Sequence, residues 1–517
     1  MTNDNNTVTD SNYVHTDNNY TSTEKSKLST LEGLPEGGEV GQYLVKDANN
    51  NASWLSPTSP VDIVDLVSYG VEWDITVADP KCTRIGNPEL HRTLPIQSAY
   101  RGCIAQGKKI LYYLDANDWR LKQRHDTANV LEYTADTITI TDGSVLVADQ
   151  WVKLNDTTFG QVTSVTDNTA TIKWEDTPTF NSTNTIIIGS RLNGYDGEVM
   201  VHIPRFYYRS WIDGNKRRVR VSTIKVDGTW IENPEMLVGA YRSTVLNTVP
   251  ENMGYLSTLQ VNSAISVVNN HDYCRGGGNR SDYDVYADTD QFRSDLCKPR
   301  TSLSRSNMRT YARNAGHELL CYDYYKTVFY WLYVIEYANF NSQDTFNSEL
   351  TSDGYRQGGL GTGITTVNSS IWEAYNSYYP LTTCGYGNDL GNNTGIKPLI
   401  IPEIQYTSSM PRWRGFDNVF GDILTNVDGV IIQGIEQNDG TYVSKNVYTT
   451  TDSSKFGDST SDIANMKISG IETYSEGYIK SFDMRETAEI IPATVGGSAN
   501  TYKCDYHYPG NKDASLR

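Results

Sequence analysis

The chain has 517 residues and a formal charge of -18, from 44 Lys and Arg against 62 Asp and Glu. That length allows several domains, and that charge repels phosphate backbones and anionic headgroups, so nucleic-acid binding and membrane insertion are not expected. The longest apolar stretch, residues 328–335, falls well short of the ~20 residues of a membrane span.

Residues 1–19 are rich in Asn, Thr and Asp, with neither a basic nor an apolar leader region, and read as a disordered or docking tail. From Tyr20 the pattern changes. Thr21 and Glu24 form a capping box, and Leu28 and Leu31 make one apolar seam, too short to hold a helix without copies of itself to pack on. Two short strands follow, one through Leu44 and one ending at Trp54, joined by an Asn-rich turn. Residues 20–60 are thus an oligomerising stalk, with Tyr20, Leu28, Leu31, Leu44 and Trp54 as its contact residues. A break at 57–60 leads into residues 61–126, the first part of a head, with a strand at 71–77, a helix at 97–106 burying Ala99, Cys103 and Ile104, and a strand at 110–114.

Residues 127–190 differ again. Thr-rich strands at 136–140, 151–154, 160–165, 170–174 and 184–188 are closely spaced and punctuated by turns, the signature of a small inserted all-β domain. In the remainder, 191–517, residues 198–208 alternate as one long strand. Residues 217–222 pair with it through a hairpin at Asp213-Gly214. Helices are expected at 304–315, with Met308, Tyr311 and Ala312 on one face, and at 323–337, burying Val328, Trp331, Leu332 and Ile335. Beyond 357 the chain reads as long Gly-, Asn- and Tyr-rich loops pinned by short strands such as 429–433.

Two resemblances follow from these residues. Residues 19–33 and then 37–57 resemble a recurrent phage tail-fibre segment that trimerises at the shaft or neck. Residues 195–207, 309–316 and 330–343, together with Trp413-Arg414-Gly415-Phe416-Asp417-Asn418-Val419-Phe420-Gly421 and Asp428-Gly429, are similar to the C-type-lectin-like fold. That fold is shared by formylglycine-generating enzymes and by phage receptor-binding proteins of the major tropism determinant type. Similar heads occur on fibre proteins of phages of gut Bacteroidales, including crAss-like phages. The resemblance implies an α+β fold: a short N-terminal trimerising stalk and a C-type-lectin-like head carrying the β insert. Trp413, Arg414, Gly415, Asn418, Phe420, Gly421, Asp428 and Gly429 would define that head. Relatives continue past the positions of Tyr508-Pro509-Gly510 and Arg517 into closing strands, which implies either a shortened chain or completion by another chain.

Catalysis is not expected. The enzymatic branch of the family uses paired late cysteines, whereas only Cys384 and Cys504 stand late here, far apart. The seven cysteines are odd in number, include no Cys-x-x-Cys and read as reduced thiols of a chain assembled in the host cytoplasm. Hydrolase, P-loop and zinc-protease signatures are absent. No cofactor is expected. Asp282, Asp284, Asp288 and Asp290 offer oxygen ligands for calcium but lack a glycine-pinned loop, and read as a solvated acidic loop.

Recognition chemistry is richer. Tyr numbers 36 against 11 Phe and 10 Trp, the kind of stiff, amphipathic contact area that binding loops use. Tyr355, Arg356, Trp372, Tyr375, Tyr378, Tyr386, Asn388, Asp389, Asn392 and Asn393 are the candidate ligand-binding residues. Aromatics stack on sugar faces, and amides and carboxylates take hydroxyls. Trp372, Tyr375 and Tyr379 also share the spacing of a buried helix face, whereas 386–393 reads as an exposed loop. The expected function is a homotrimeric virion fibre subunit. It would dock other virion proteins through residues 1–60 and bind a bacterial surface glycan or protein through its head. The alternatives are a structural tail or capsid component, and a capsule-degrading spike.

Overall fold

The computed structural model describes residues 43–46, 52–55, 60–77, 82–268, 274–275, 298–301, 303–341, 344–361, 382–401, 406–420, 423, 425–498, 506–510 and 513–514. Tyr20, Leu28, Leu31, Asp282, Asp284, Asp288, Asp290, Trp372, Tyr375, Tyr378, Tyr379 and Gly421 lie outside them. The fold is mixed and strand-rich, 40% strand and 16% helix, and the chain divides into units 1–66 and 67–517. In the first unit, Tyr43–Lys46 pairs antiparallel with Ala52–Leu55, with Leu44 opposite Trp54. The helix Pro60–Val67 starts on a proline, whose missing N–H costs nothing in a first helical turn.

The second unit is built around one interrupted helix. Tyr322–Tyr325 and Leu332–Tyr337 are α-helical, and Lys326–Trp331 between them is π-helical. The expected inward residues Val328, Trp331, Leu332 and Ile335 are all buried. Side chains take carbonyls of the widened segment and the turn after it: the Tyr100 hydroxyl donates to Val328 O at 3.0 Å and Gln97 Nε2 to Leu332 O at 3.0 Å. Such insertions into the helical ladder are what hold a π-turn open. Trp331 stacks on Trp73 at 5.5 Å, and its indole N–H donates to Ala488 O at 2.7 Å.

Two sheets pack on this core. One orders Ile231–Asn233, Phe206–Asp213, Lys216–Ser222, Tyr69–Asp74 and Thr83–Gly86, and the other orders Met236–Gly239, Glu198–Ile203, Arg101–Gln106 and Lys109–Tyr113. Between Asp126 and Ile188, six strands close into a barrel. Alternation explains its filling: Ile138, Ile140, Val152, Leu154, Val162, Ile172, Ile186 and Ile188 point inward as a separate core, while the intervening threonines face out.

Three expectations are corrected. Residues 97–106 form no helix; a single turn at Gln97–Ala99 gives way to the strand Arg101–Gln106. This strand is central and buried on both faces, so its continuous run of small and apolar residues mimics a helical stripe. Residues 198–208 are not one strand, because Pro204 and Arg205 break it and send Glu198–Ile203 and Phe206–Asp213 into different sheets. The second of these makes the expected hairpin with Lys216–Ser222. Finally, the helix Arg305–Asn314, capped by Ser304, buries Arg305, Arg309 and Ala312 rather than Met308 and Tyr311. Its inward stripe is cationic because Asp428 and Asp458 meet it: Arg309 Nε lies 2.5 Å from Asp428 and Arg305 Nε 2.9 Å from Asp458.

Gly102 tests the central-strand register. A Cβ there would lie 2.2 Å from the Trp119 ring, and Trp119 is fully buried. Gly102→Ala is expected to lower the urea-unfolding free energy by about 1–3 kcal/mol, with far-ultraviolet circular dichroism unchanged.

Candidate recognition surface

The residues singled out at 413–429 form a scaffold beneath the surface. Trp413 ends the strand Tyr406–Trp413 and pairs with Phe416, so Arg414 and Gly415 make a two-residue turn. Both have positive φ, 51° and 89°, as a type I′ hairpin demands. Holding an arginine there costs backbone strain. The buried Glu336 carboxylate offsets it, accepting from Arg414 Nη2 at 2.7 Å, Arg414 Nε at 3.2 Å and Trp413 Nε1 at 3.1 Å. Asn418, also at positive φ, donates from its amide to Thr382 Oγ1 at 2.8 Å. The Phe420 ring lies 4.4 Å from Tyr333. Asp428 is wholly buried, pairs with Arg309 and accepts from the Gly429 N–H at 2.9 Å.

The loop 382–393 is less exposed than its composition implies. Asn388 is buried: its side-chain oxygen accepts from the Tyr241 hydroxyl at 2.5 Å and its backbone carbonyl from the Trp119 N–H at 2.8 Å. The Asn392 side-chain oxygen accepts from the Gly102 N–H and from Trp119 Nε1, both at 2.9 Å. These two residues therefore staple the loop to the core through their oxygens. What remains outward is a rim. The Tyr386 hydroxyl donates to Pro398 O at 2.5 Å, and Lys397 stands 4.8 Å over the Tyr386 ring and 2.8 Å from Asp389. Asp389 and Asn393 are exposed.

Tyr355 and Arg356 belong to a second cluster. The guanidinium groups of Arg84 and Arg92 stand 4.9 Å and 5.3 Å from the centre of the Tyr355 ring. Arg84 Nη2 also donates to the backbone carbonyls of Arg356 and Glu336, at 2.6 Å and 3.1 Å. His91, buried on the helix Pro88–Thr93, meets Tyr355 edge-on at 6.1 Å. Arg84, Arg92, His91 and Lys397 were not singled out from the sequence. The available signal for His91 and Arg92 was the Asn87-Pro88 helix start, which begins the helix that carries both. Among the described residues, no three His, Cys, Asp or Glu side chains are grouped to hold a metal ion.

Two measurements probe this arrangement. Arg414→Met strands the Glu336 carboxylate in the core and is expected to cost about 3–5 kcal/mol in urea unfolding. Arg414→Lys restores only part, because an ammonium cannot span both oxygens. Burial, with Arg84 and Arg220 close by, pushes the His91 imidazole down to about 4, against roughly 6.5 when unfolded. Between those values the unfolded chain binds more protons, so stability falls as pH drops from about 6.5 toward 4. The melting temperature of His91→Gln should show a shallower fall over that window.

Compared with known protein families, with curated proteins and with solved structures, the chain has no match.

Proposed function

We propose that this chain is a non-enzymatic subunit of a virion fibre that attaches to a bacterial surface. Residues 20–60 serve as its trimerising neck, and a C-type-lectin-like head binds a glycan or protein receptor. The observation that carries this reading is the rim of Tyr386, Asp389, Asn393 and Lys397. Its exposed carboxylate and amide and its half-buried aromatic ring stand on a loop whose neighbours Asn388 and Asn392 are locked to Trp119 and Gly102, with the half-buried Lys397 ammonium on the adjoining strand Gly395–Ile401. A loop ordered in advance loses little entropy on binding, and an aromatic ring beside polar groups suits a sugar's apolar face and hydroxyls. The sequence resemblance of residues 413–429 to lectin-like heads, and of residues 19–57 to fibre necks, points the same way.

The full chain labelled with a fluorophore should bind host cells, and Tyr386→Ala combined with Asp389→Asn should weaken that binding by about tenfold or more. Light scattering should give a mass of three chains. Absence of binding to host cells and capsule, with the head buried among other virion proteins, would replace this reading by a structural role. Shortened capsule chains after incubation would replace it by a degrading spike.

A further inference from the structure

The interrupted central helix holds a closed cluster of reactive side chains. The Lys326 ammonium lies 2.9 Å from Oδ1 of Asp323, one turn earlier, and 3.0 Å from Oε2 of Glu489. Lys326 and Glu489 are wholly buried, whereas the Asp323 side chain keeps 18% of its surface exposed. The other Glu489 oxygen, Oε1, accepts from the Thr487 hydroxyl. Buried aromatics close the cluster: the Tyr322 ring stands 5.2 Å from Lys326 Nζ, and Tyr208 is buried beside it.

Two carboxylates around one ammonium leave an excess negative charge where water scarcely enters. Among the described residues, no second cation lies within ion-pair distance of Asp323 or Glu489. Such an arrangement is costly as a pure ion cluster, yet each group stands where amide formation needs it. A nucleophilic nitrogen touches one oxygen of a carboxyl group. A second carboxylate stands on that same nitrogen and can move its protons. The Thr487 hydroxyl points its proton at Oε1, the atom on which charge collects when the carboxyl carbon is attacked.

We propose that Lys326 and Glu489 condense into an amide crosslink, with Asp323 as proton relay and Thr487 as donor to the developing oxyanion. The ammonium passes one proton to Oε2 of Glu489, leaving a free amine and a neutral acid. The amine lone pair forms the Nζ–Cδ bond, and the displaced electron pair settles on Oε1 against Thr487. Asp323 takes a second proton from the nitrogen and returns it to the Oε2 hydroxyl. The Cδ–Oε2 bond then breaks and water leaves, past the partly exposed Asp323, which ends as the carboxylate it began as. Burial pulls the Lys326 pKa down, but the two carboxylates outweigh it and hold the amine above the usual lysine range, so the free amine is a rare state. The bond has to form only once per chain, and fixed contact supplies an effective concentration on the order of 10⁵ M or more. The product removes two buried charges and leaves the third on Asp323, the one group that water reaches. It ties the central helix covalently to the segment that enters the strand Ile491–Val495.

Mass spectrometry of the full chain, freshly purified and again after incubation to constant mass, tests this. The chain should weigh one water less than its sequence, and a tryptic digest should contain one branched peptide joining the segment of Lys326 to that of Glu489. Lys326→Arg should keep the full mass. Asp323→Asn, with native circular dichroism, should form the bond about a hundredfold more slowly. A parent chain still at full mass when incubation ends overturns the crosslink. So does a water loss that hydroxylamine abolishes, the mark of a succinimide, or one that maps to Lys326 and Asp323 within a single peptide. Equal rates in Asp323→Asn and the parent chain overturn the relay.

Discussion

One buried carboxylate holds much of the second unit in register. Glu336 is 1% exposed, and a carboxylate so placed is tolerable only if its charge and lone pairs are met. Arg414 and Trp413 meet them from the hairpin turn, and Arg84 takes the backbone carbonyl of the same residue. A single helical position thus ties together the 406–417 hairpin, the Thr83–Gly86 strand and, through Arg84, the Arg356 loop. Gly415 in that turn leaves room for Trp119, and Trp119 is where Asn392 fastens the 382–393 loop. The outward rim inherits its position from an interior ion pair.

Other interior cations follow the same logic. Lys326 is wholly buried and lies 2.9 Å from Asp323 and 3.0 Å from Glu489. Arg305 and Arg309 meet Asp428 and Asp458. Such pairs roughly break even against apolar packing, but removing one partner is severe. They therefore act chiefly as registry devices, joining the helix Arg305–Asn314 and the central helix to C-terminal segments more than a hundred residues away.

This dependence on polar anchors decides what the sequence reveals. The barrel strands were legible because isoleucine and threonine alternate strictly at 137–140, and the central helix was legible because it is apolar on every side. Hydrophobic periodicity fails where burial is two-sided, as at 101–106, or where the inward residues are charged, as with Arg305 and Arg309. The same holds for the surface. Asp389 and Asn393 are exposed and Tyr386 half-buried in a loop whose composition pointed to binding, but that composition could not separate them from Asn388 and Asn392. An amide that recognises a ligand and an amide that satisfies a backbone N–H have the same local sequence. Their partners, Gly102 and Tyr241, lie well over a hundred residues away. Arg84, Arg92 and Lys397 escaped notice because a cation near an aromatic is visible only in space.

Three of the buried tyrosines show the same accounting. Loops and broken helices bring backbone carbonyls and side-chain amide oxygens into the core that no regular ladder satisfies. A phenylalanine fills the core beside them and leaves them unpaired, whereas a tyrosine fills the same space and brings a donor. Tyr100 reaches Val328 O at 3.0 Å, Tyr69 reaches Gln97 Oε1 at 2.6 Å and Tyr241 reaches Asn388 Oδ1 at 2.5 Å. Burial pushes all three phenols up, so each stays a protonated donor and adds no charge to the core. The amphipathic composition of the chain is thus spent partly inside, as donors to buried oxygens.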